Sequence, residues 1–269
     1  ASIIDAAAES KTPEQIASEL NDTFKPQLVV IVVMGCQPSS STQLMPSAGK
    51  IAKAIKSLNP NIKIMMTGTH PAALPQQTLI EESVDFVCDF EGPRTILQAL
   101  EKLKAGDTDF STVESLWYYQ NNNIVNTPRG KLIAKLGDEM EMPRWDLLPM
   151  DKYRAHNWHC FEHINERSPY ASIYTSLGCP YKCSFCCINA PFGGSSYRMW
   201  PPEVVIKQID VLVNDYGIKN IKIIDEMFVL NRKHVFSICD LIIQRGYKLN
   251  IWAYARIDTV KDEFLEKLA

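Results

Sequence analysis

The residues best suited to chemistry are three cysteines on one short loop, Cys179, Cys183 and Cys186, spaced as C-x3-C-x2-C. A structural zinc ion normally takes four protein ligands, whereas an iron–sulfur cube held by three thiolates leaves one iron open to a substrate or cofactor. The spacing therefore predicts an open iron–sulfur site. The alternative is a zinc site completed by Cys187 or a distant histidine. Adjacent residues on a tight loop point in different directions, so Cys187 fits better as a packed neighbour.

The segments around this loop follow a strand–loop–helix pattern. Residues 171–177 before it are rich in strand formers, and Gly193 and Gly194 come before a helical pattern that opens near Pro201. In an α/β barrel, the loops at the C-terminal ends of the strands carry the chemistry. The pattern therefore predicts that the cysteine loop follows a barrel strand.

The cysteine run resembles the motif of the radical S-adenosylmethionine (SAM) enzymes, in which an aromatic residue, here Phe185, comes just before the third cysteine. The resemblance implies a 4Fe-4S cluster on the three cysteines, with SAM bound at the open iron and near Phe185. Reductive cleavage of SAM at such a cluster starts radical chemistry on a substrate. It further implies a small-molecule substrate and an electron donor such as flavodoxin or ferredoxin.

Charged residues end the next two predicted strands, 221–224 and 248–253. Asp225 and Glu226 end the first, and Arg256 follows the second. In the radical SAM family an acidic segment at the first position binds the amino group of SAM, and an arginine at the second pairs with its carboxylate. Carboxylates suit an ammonium, and a planar guanidinium suits a carboxylate. The resemblance therefore implies SAM contacts from all three residues, with a helix cap or an ion pair as the structural alternatives.

Composition limits the function classes. The 269 residues carry a net charge of −3 and no run of Lys or Arg, which predicts no nucleic-acid partner and no membrane surface. The longest apolar stretch, Leu28 to Met34, is too short to span a bilayer. The eight cysteines predict reduced thiols rather than a disulfide framework, because a chain of this size has an ample apolar core. We therefore expect a cytoplasmic protein.

The N-terminal part, residues 1–106, alternates continuous apolar strands with amphipathic helices. This pattern predicts a parallel sheet covered on both faces, in a doubly wound, Rossmann-like α/β domain. Its strands are predicted at Ile3–Ile4, 28–33, 62–66 and 85–88. Ligands of such sheets bind at the C-terminal ends of the strands.

The turns after these strands resemble the cobalamin-binding domain that precedes the barrel in a large subgroup of the radical SAM enzymes. That subgroup usually shows Gly-Gly-x-His-Pro at one turn and Gly-Glu-Gly-Glu at the next. The matching residues here are Gly68, His70, Pro71, Glu91 and Gly92, and the departing ones are Thr67, Phe90 and Pro93. The resemblance implies cobalamin contacts from Gly68, Thr69, His70, Gly92, Ser39 and Ser40. The alternative is an empty domain that only docks on the barrel.

The remaining chain divides into a connector, 107–170, and the N-terminal half of a radical SAM partial barrel, 171–269. The connector contains a predicted β-hairpin with an asparagine turn. Its segment 156–163 holds three histidines and a cysteine, for which packing or substrate contact is favoured over a second metal. The second half shows three strand–helix units, fewer than the barrel of the resembling family. Both ends of the chain therefore look cut, the first strand of the cobalamin-type domain included.

Three functions remain open at this point. The leading one is a radical SAM enzyme that uses cobalamin for methyl transfer or for ring formation or rearrangement. The second is a radical SAM enzyme with an empty Rossmann-like domain. The third is a non-catalytic metal-binding scaffold module. The substrate is not readable from these residues.

Overall fold

The protein is described by a computed structural model over residues 1–34, 40–140, 142–159 and 164–269. The chain forms two units. The five-stranded unit contains residues 10–132 and 181–195. The three-stranded unit contains residues 1–9, 133–180 and 196–269.

The helices and strands alternate through both units. The strands are β1 (Leu28–Val33), β2 (Lys63–Gly68), β3 (Phe86–Cys88), β4 (Leu116–Gln120), β5 (Asn123–Asn126), β6 (Tyr170–Ile173), β7 (Ser176–Leu177), β8 (Arg198–Met199), β9 (Asn220–Ile223) and β10 (Asn250–Ala253). The helices are α1 (Pro13–Glu19), α2 (Ser41–Leu58), α3 (Thr69–Ala73), α4 (Pro75–Glu81), α5 (Pro93–Lys104), α6 (Leu136–Glu139), α7 (Pro202–Tyr216), α8 (Arg232–Arg245) and α9 (Asp262–Leu268). None of these helices is both long and apolar enough to cross a membrane.

The five-stranded unit is a sheet in the order β1-β2-β3-β4-β5. The first three strands are parallel, and β4 and β5 form an antiparallel hairpin at one end. Asn121 and Asn122 at the hairpin tip both have positive φ angles, which asparagine tolerates and which a two-residue hairpin turn requires. The predicted asparagine turn is confirmed.

The three-stranded unit is a parallel sheet in the order β10-β9-β6, beside a two-stranded ribbon of β7 and β8. Buried apolar side chains of α7 and α8 pack on one face of this sheet, together with Ile221 and Ile223 of β9. The parallel α/β character predicted for this half is confirmed. Its closure into a partial barrel stays a prediction.

Local side chains and a glycine set the two ends of α8, the helix that follows β9. Asn231 caps α8, since its side chain accepts a hydrogen bond from the backbone of His234. Gly246 ends α8 in the left-handed conformation. Thr12 and Gln15 form the two reciprocal bonds of a capping box at α1. Local side-chain chemistry is therefore enough to set these helix ends.

Three predictions need correction. Residues 3–4 are not a strand. The strand predicted over 171–177 is interrupted at Tyr174 and Thr175, so that β6 pairs with β9 whereas β7 turns away to pair with β8. The hairpin predicted inside a separate connector instead extends the five-stranded sheet, because β4 pairs with β3. Residues 133–170, without residue 141 and residues 160–163, lie in the three-stranded unit.

Candidate functional site

The end of β9 holds a fully buried carboxylate, Asp225. One of its oxygens accepts from the backbone N–H of Thr175 at 2.6 Å. The other accepts from the hydroxyls of Thr175 at 2.5 Å and Ser176 at 2.7 Å. Burial raises the pKa of Asp225, and these bonds oppose the rise. Asp225 therefore ties the end of β9 to the segment that leads into the cysteine loop, and its oxygens are already used inside the protein.

His234 extends this network. Its Nε2 lies 3.1 Å from the Thr175 hydroxyl. That hydroxyl donates its hydrogen to Asp225, so it accepts from the imidazole, and Nε2 is the protonated nitrogen. Burial lowers the pKa of His234, which keeps the ring neutral. Three elements, β9, α8 and the end of β6, are thus joined by one buried hydrogen-bond chain.

Glu226 lies beside this network and is only half-buried. Burial and the charge of Asp225 raise the pKa of Glu226 to about 7. A carboxyl group with such a pKa is half-ionised near neutral pH and gains most from a cationic ligand. Of the predicted acidic pair, Asp225 thus has its oxygens engaged inside the protein and Glu226 lies beside that network. Contact of either residue with an ammonium group stays a prediction.

Arg256 follows β10 and forms a bidentate pair with Asp258, with distances of 2.9 Å and 2.8 Å. Both side chains are about half exposed. A local pair of this kind contributes little to stability, so its position after the strand is compatible with a second, ligand-bound arrangement.

The cysteine loop begins at Gly178, whose φ is +84° and whose place no larger residue could take. A Cβ there would lie 2.5 Å from the carbonyl oxygen of Ser196. Cys179 is buried, Cys183 is half-buried and Cys186 is exposed, and none of the three forms a disulfide with another described cysteine. Phe185 is 91% exposed.

The donor set suits an iron–sulfur cluster, because three reduced cysteines lie on one loop. A turn shapes the second part of this loop, where the backbone N–H of Cys186 donates to the carbonyl of Cys183 at 3.1 Å. Within the described part of the chain, no three Cys, His, Asp or Glu side chains are gathered at metal-binding distance. The convergence of the three thiols on one cluster therefore stays a prediction.

At the five-stranded sheet, the ends of β1 and β2 approach each other very closely at Gly68. Gly68 pairs with Val33 and has a φ of +128°. A Cβ there would lie 2.3 Å from the Val33 carbonyl oxygen. The sequence predicted this glycine as a place for a cofactor to approach, whereas the structure shows that the neighbouring strand already requires it.

Ser41, the first residue of α2, joins the same two strands. Its fully buried hydroxyl donates to the Val33 carbonyl and accepts from the backbone N–H of His70 at 2.9 Å. Ser41 was assigned no individual role from the sequence. Its position in a serine-rich run directly after a strand is the only sequence signal that could have indicated this role. The imidazole Nδ1 of His70 lies 3.0 Å from the Thr42 hydroxyl. The backbone and the ring of His70 are thus both bonded to residues at the start of α2.

Two polar atoms at this edge are buried without a partner among the described residues. One is Oγ1 of Thr69, which follows β2 and is fully buried, and the other is Oδ1 of Asp89, which follows β3. The second oxygen of Asp89 accepts from Trp117 and Arg129, both at 3.1 Å. Buried polar atoms without partners are rare in native proteins, and they mark places where a ligand or an ordered water completes the bonding.

The other residues predicted at this edge are partly described. Gly92 has a φ of +100° and begins α5, and a Cβ there would lie 3.6 Å from the Thr67 hydroxyl. Gly68, Thr69, His70 and Gly92 therefore all lie at the C-terminal edge of the sheet. Ser40 immediately precedes α2. Ser39 lies outside the described residues.

The second part of the cysteine loop packs on this edge. Residues 181–195 belong to the five-stranded unit, and their turn Ala190–Phe192 lies against α3. A Cβ on Gly193 would lie 3.3 Å from the Phe90 ring and 3.4 Å from the Arg129 guanidinium. The stretch that carries Cys183 and Cys186 is thereby anchored to the strand-end loops.

Known proteins resemble this chain both in its N-terminal domain and over its whole length. Residues 1–100 match the family described as B12 binding domain. The chain is 33% identical over 268 residues to "Uncharacterized methyltransferase PH0819" from Pyrococcus horikoshii, across 99% of this chain and 53% of that protein. It is 26% identical over 267 residues to the anaerobic magnesium-protoporphyrin IX monomethyl ester cyclase of Rubrivivax gelatinosus, across 97% of this chain and 44% of that protein.

Among solved structures, the fold is similar to the radical SAM methyltransferase TsrM from Kitasatospora setae. With tryptophan substrate and a SAM analogue bound, the TM-score is 0.74 at 17% identity, over 99% of this chain and 51% of TsrM. For the TsrM structure with cobalamin and a [4Fe-4S] cluster bound, the TM-score is 0.72 at 18% identity, over 99% of this chain and 50% of TsrM. Residues 1–100 are thus similar to the B12-binding domain family, and the chain is similar in fold to cobalamin-binding radical SAM enzymes. The chain spans roughly half the length of the relatives named above.

Proposed function

We propose that this protein is a cobalamin-dependent radical SAM enzyme that transfers a methyl group to a small molecule or forms a ring in it. The observation that carries the proposal is the cysteine loop. Its three cysteines have the spacing of an open cluster site, and its second part packs on the strand ends of the domain that matches the B12-binding family.

In this proposal Cys179, Cys183 and Cys186 hold a 4Fe-4S cluster, and SAM binds beside Phe185. When bound, the cluster and SAM supply a carbon-centred radical, and cobalamin supplies a methyl group. The protein's own part is to bind, orient and exclude water. The exposure of Cys186 and Phe185 leaves this part of the loop open to such a ligand.

Glu226 is proposed to accept the ammonium group of SAM, and Arg256 its carboxylate. Glu226 keeps its carboxyl available, whereas Asp225 has its oxygens engaged with Thr175 and Ser176. Asp225 is therefore assigned to positioning, since it fixes the strand end from which Glu226 projects. The sequence assigned the role of binding SAM to both Asp225 and Glu226, whereas this proposal gives that role to Glu226 alone.

Cobalamin is proposed to lie at the strand ends of the five-stranded unit. The buried, unpartnered Oγ1 of Thr69 and Oδ1 of Asp89 fit a ligand rich in hydrogen-bonding groups. His70, held by Thr42 and Ser41, orders the loop rather than ligating cobalt in this proposal.

Methyl transfer and ring formation are both represented among the relatives, by an uncharacterised methyltransferase and by a cyclase. The higher identity to the former favours methyl transfer. The electron needed to cleave SAM would come from a small redox protein such as flavodoxin or ferredoxin.

The test is anaerobic reconstitution of the full-length protein with iron and sulfide, followed by a visible spectrum and an assay for reductive cleavage of SAM. We expect absorbance near ~400 nm, lost on replacing any one of Cys179, Cys183 or Cys186 by Ala. The matched control is Cys187→Ala, which should keep the cluster. Equal loss in that control would replace the proposal with a four-cysteine or zinc site. Intact absorbance without SAM cleavage would leave the scaffold function.

A further inference from the structure

The side chains of β9 that point away from α7 and α8 are polar although they are buried. Successive side chains of a strand point to opposite faces. Ile221 and Ile223 pack with the helices, so Asn220 and Lys222 point to the other face. Lys222 is only 3% exposed. A charged residue is rarely buried in a central strand unless it has a structural or functional task.

Two aromatic rings hold the Lys222 ammonium in place. Its Nζ lies 5.1 Å from the ring centroid of Trp252 and 4.9 Å from that of Tyr254. The two rings meet edge to face at 4.7 Å. A cation over two ring faces is attracted to both. An ammonium has three N–H donors, so it can accept a further ligand in addition to any partner that it already has.

A histidine completes the cluster. The ring of His159 lies against Trp252, with centroids 4.2 Å apart, and is 8% exposed. The side chain of Asn250 fixes its backbone by donating to its carbonyl oxygen at 2.6 Å. Burial, with the charge of Lys222, lowers the pKa of His159, so that the ring is neutral and carries one N–H.

Two polar atoms in this cluster are buried and have no hydrogen-bond partner in the part of the chain that the structure describes. They are Nδ1 of His159 and the hydroxyl of Tyr254. Leaving buried polar groups unpaired costs stability, and such atoms mark places where a ligand or an ordered water supplies the missing partner. The cluster therefore presents an ammonium, a phenolic O–H and an imidazole around one indole ring.

We propose that Lys222, Tyr254 and His159 form a subsite for an oxyanion group of the substrate, a carboxylate or a phosphate, beside the ring of Trp252. All three side chains can donate hydrogen bonds, and an oxyanion accepts several at once. This inference rests on the proposed function, because it takes the ligand of the subsite to be the substrate of the proposed enzyme. It names a substrate class that the comparisons leave open.

Ligand-observed nuclear magnetic resonance on the full-length protein, without cofactors, tests the subsite. The probes are benzoate and its neutral isostere benzamide, with inorganic phosphate as competitor. We expect benzoate to bind and benzamide not to bind. Displacement of benzoate at lower concentrations of phosphate than of acetate would assign a phosphate group, and the reverse order a carboxylate. Absence of benzoate binding, or equal binding of benzamide, would overturn the proposal.

Three variants locate the probe. Tyr254→Phe and His159→Phe keep the rings, and Lys222→Met keeps most of the apolar stem. Each should weaken benzoate about tenfold or more, the size expected for losing a hydrogen bond to a charged group. The matched control is Tyr247→Phe, since the Tyr247 hydroxyl bonds to Asp210 on α7, and benzoate binding there should be unchanged. If Lys222→Met fails to fold, the benzoate affinities of Tyr254→Phe and His159→Phe decide whether the subsite exists. Unchanged affinity in both of them would mean that ordered water satisfies these atoms.

The subsite and the proposed function can fail separately. Benzoate binding needs neither the cluster nor SAM. Benzoate binding in a protein that does not cleave SAM would keep the subsite and reject the radical chemistry. SAM cleavage in a protein that binds neither benzoate nor phosphate would keep the chemistry and reject the subsite.

Discussion

Each unit contains an inner strand that is largely buried, β2 in one and β9 in the other, but the two strands differ in composition. In β2, Ile64, Met65 and Met66 are fully buried and point to alternating faces, so apolar side chains lie on both. In β9 all four residues are also buried, but isoleucines alternate with Asn220 and Lys222. A sheet that is apolar on both faces can bind a polar ligand only at its edge. The sheet that contains β9 can also bind one on a face.

The strand ends differ in a second way. The end of β2 is held by neutral groups, through the close approach at Gly68 and the shared hydroxyl of Ser41. The end of β9 is held by the buried carboxylate of Asp225, with Glu226 beside it. Ionisable groups make stability depend on pH, whereas neutral hydrogen bonds and packing do not. We therefore expect the two strand ends to respond to pH differently.

The largest effect should come from removing the buried carboxylate. Asp225→Ala leaves the donors of Thr175 and Ser176 without their acceptor in a buried site, at about 1–3 kcal/mol for each unsatisfied group. We expect a loss of roughly 3–5 kcal/mol in the free energy of unfolding, measured by denaturant titration with tryptophan fluorescence. Asp225→Asn, which retains one acceptor oxygen, should lose less. A loss below about 1 kcal/mol for Asp225→Ala would contradict the assigned role.

Gly68→Ala should destabilise the neutral strand end by about 2–4 kcal/mol, because the added methyl group meets the Val33 backbone and the residue has a positive φ. The matched control is Gly106→Ala, since Gly106 also has a positive φ but nothing lies within 4 Å of its Cβ position. The control should cost only about 1 kcal/mol. The effect of each variant is measured by hydrogen exchange of the peptides that contain β1 and β2. Equal exchange in the two variants would show that β1 and β2 do not need to approach each other this closely.

Ser41→Ala removes the hydroxyl that joins β1 to the turn after β2, and should cost about 1–3 kcal/mol. Ser18→Ala is the matched control, because the Ser18 hydroxyl makes an exposed bond to Asp22 and contributes little. The cost of Ser41→Ala should be the same at pH 5.5 and pH 8, since no ionisable group takes part in its bonds. A cost that changes with pH would break the distinction between the two strand ends.

Glu226→Gln should change how the stability of the protein depends on pH. The pKa of Glu226 is raised from its ordinary value of 4.5 to about 7. Between these values the folded protein keeps a proton that the unfolded chain has lost, so Glu226 lowers stability as pH rises from about 4.5 to 7. In the variant this contribution should disappear, which thermal melts from pH 5 to pH 8 would detect. Parallel pH profiles of the two proteins would show that the pKa is not raised.

The same ionisation should govern SAM binding. A carboxylate attracts the ammonium of SAM only when ionised, so SAM affinity for the reconstituted protein should rise about tenfold from pH 6 to pH 8. Glu226→Gln should flatten this rise and bind as weakly as the wild type does at pH 6. Titration of SAM monitored by electron paramagnetic resonance measures the affinity. A pH-independent affinity in the wild type would make Glu226 a structural residue.

The sequence by itself determined the alternating α/β order, the ends of α8 at Asn231 and Gly246 and the asparagine hairpin turn, and its motifs carried the resemblance to the radical SAM enzymes. These features depend on local signals, such as caps, periodicity and the cysteine spacing, which act over a few residues. The matched turn residues Gly68 and Gly92 were also readable, because a positive φ strongly favours glycine.

Tertiary structure alone decided which of these residues are used inside the protein. Asp225 and Glu226 are adjacent in sequence, yet only Asp225 faces Thr175 and Ser176, which lie about fifty positions earlier. Ser41 gains its role from contacts with Val33 and His70, and the pairing of β4 with β3 moved the hairpin into the sheet. A sequence pattern shows periodicity along one element. Contacts between distant residues depend on how strands are ordered and registered, and only the folded chain sets that.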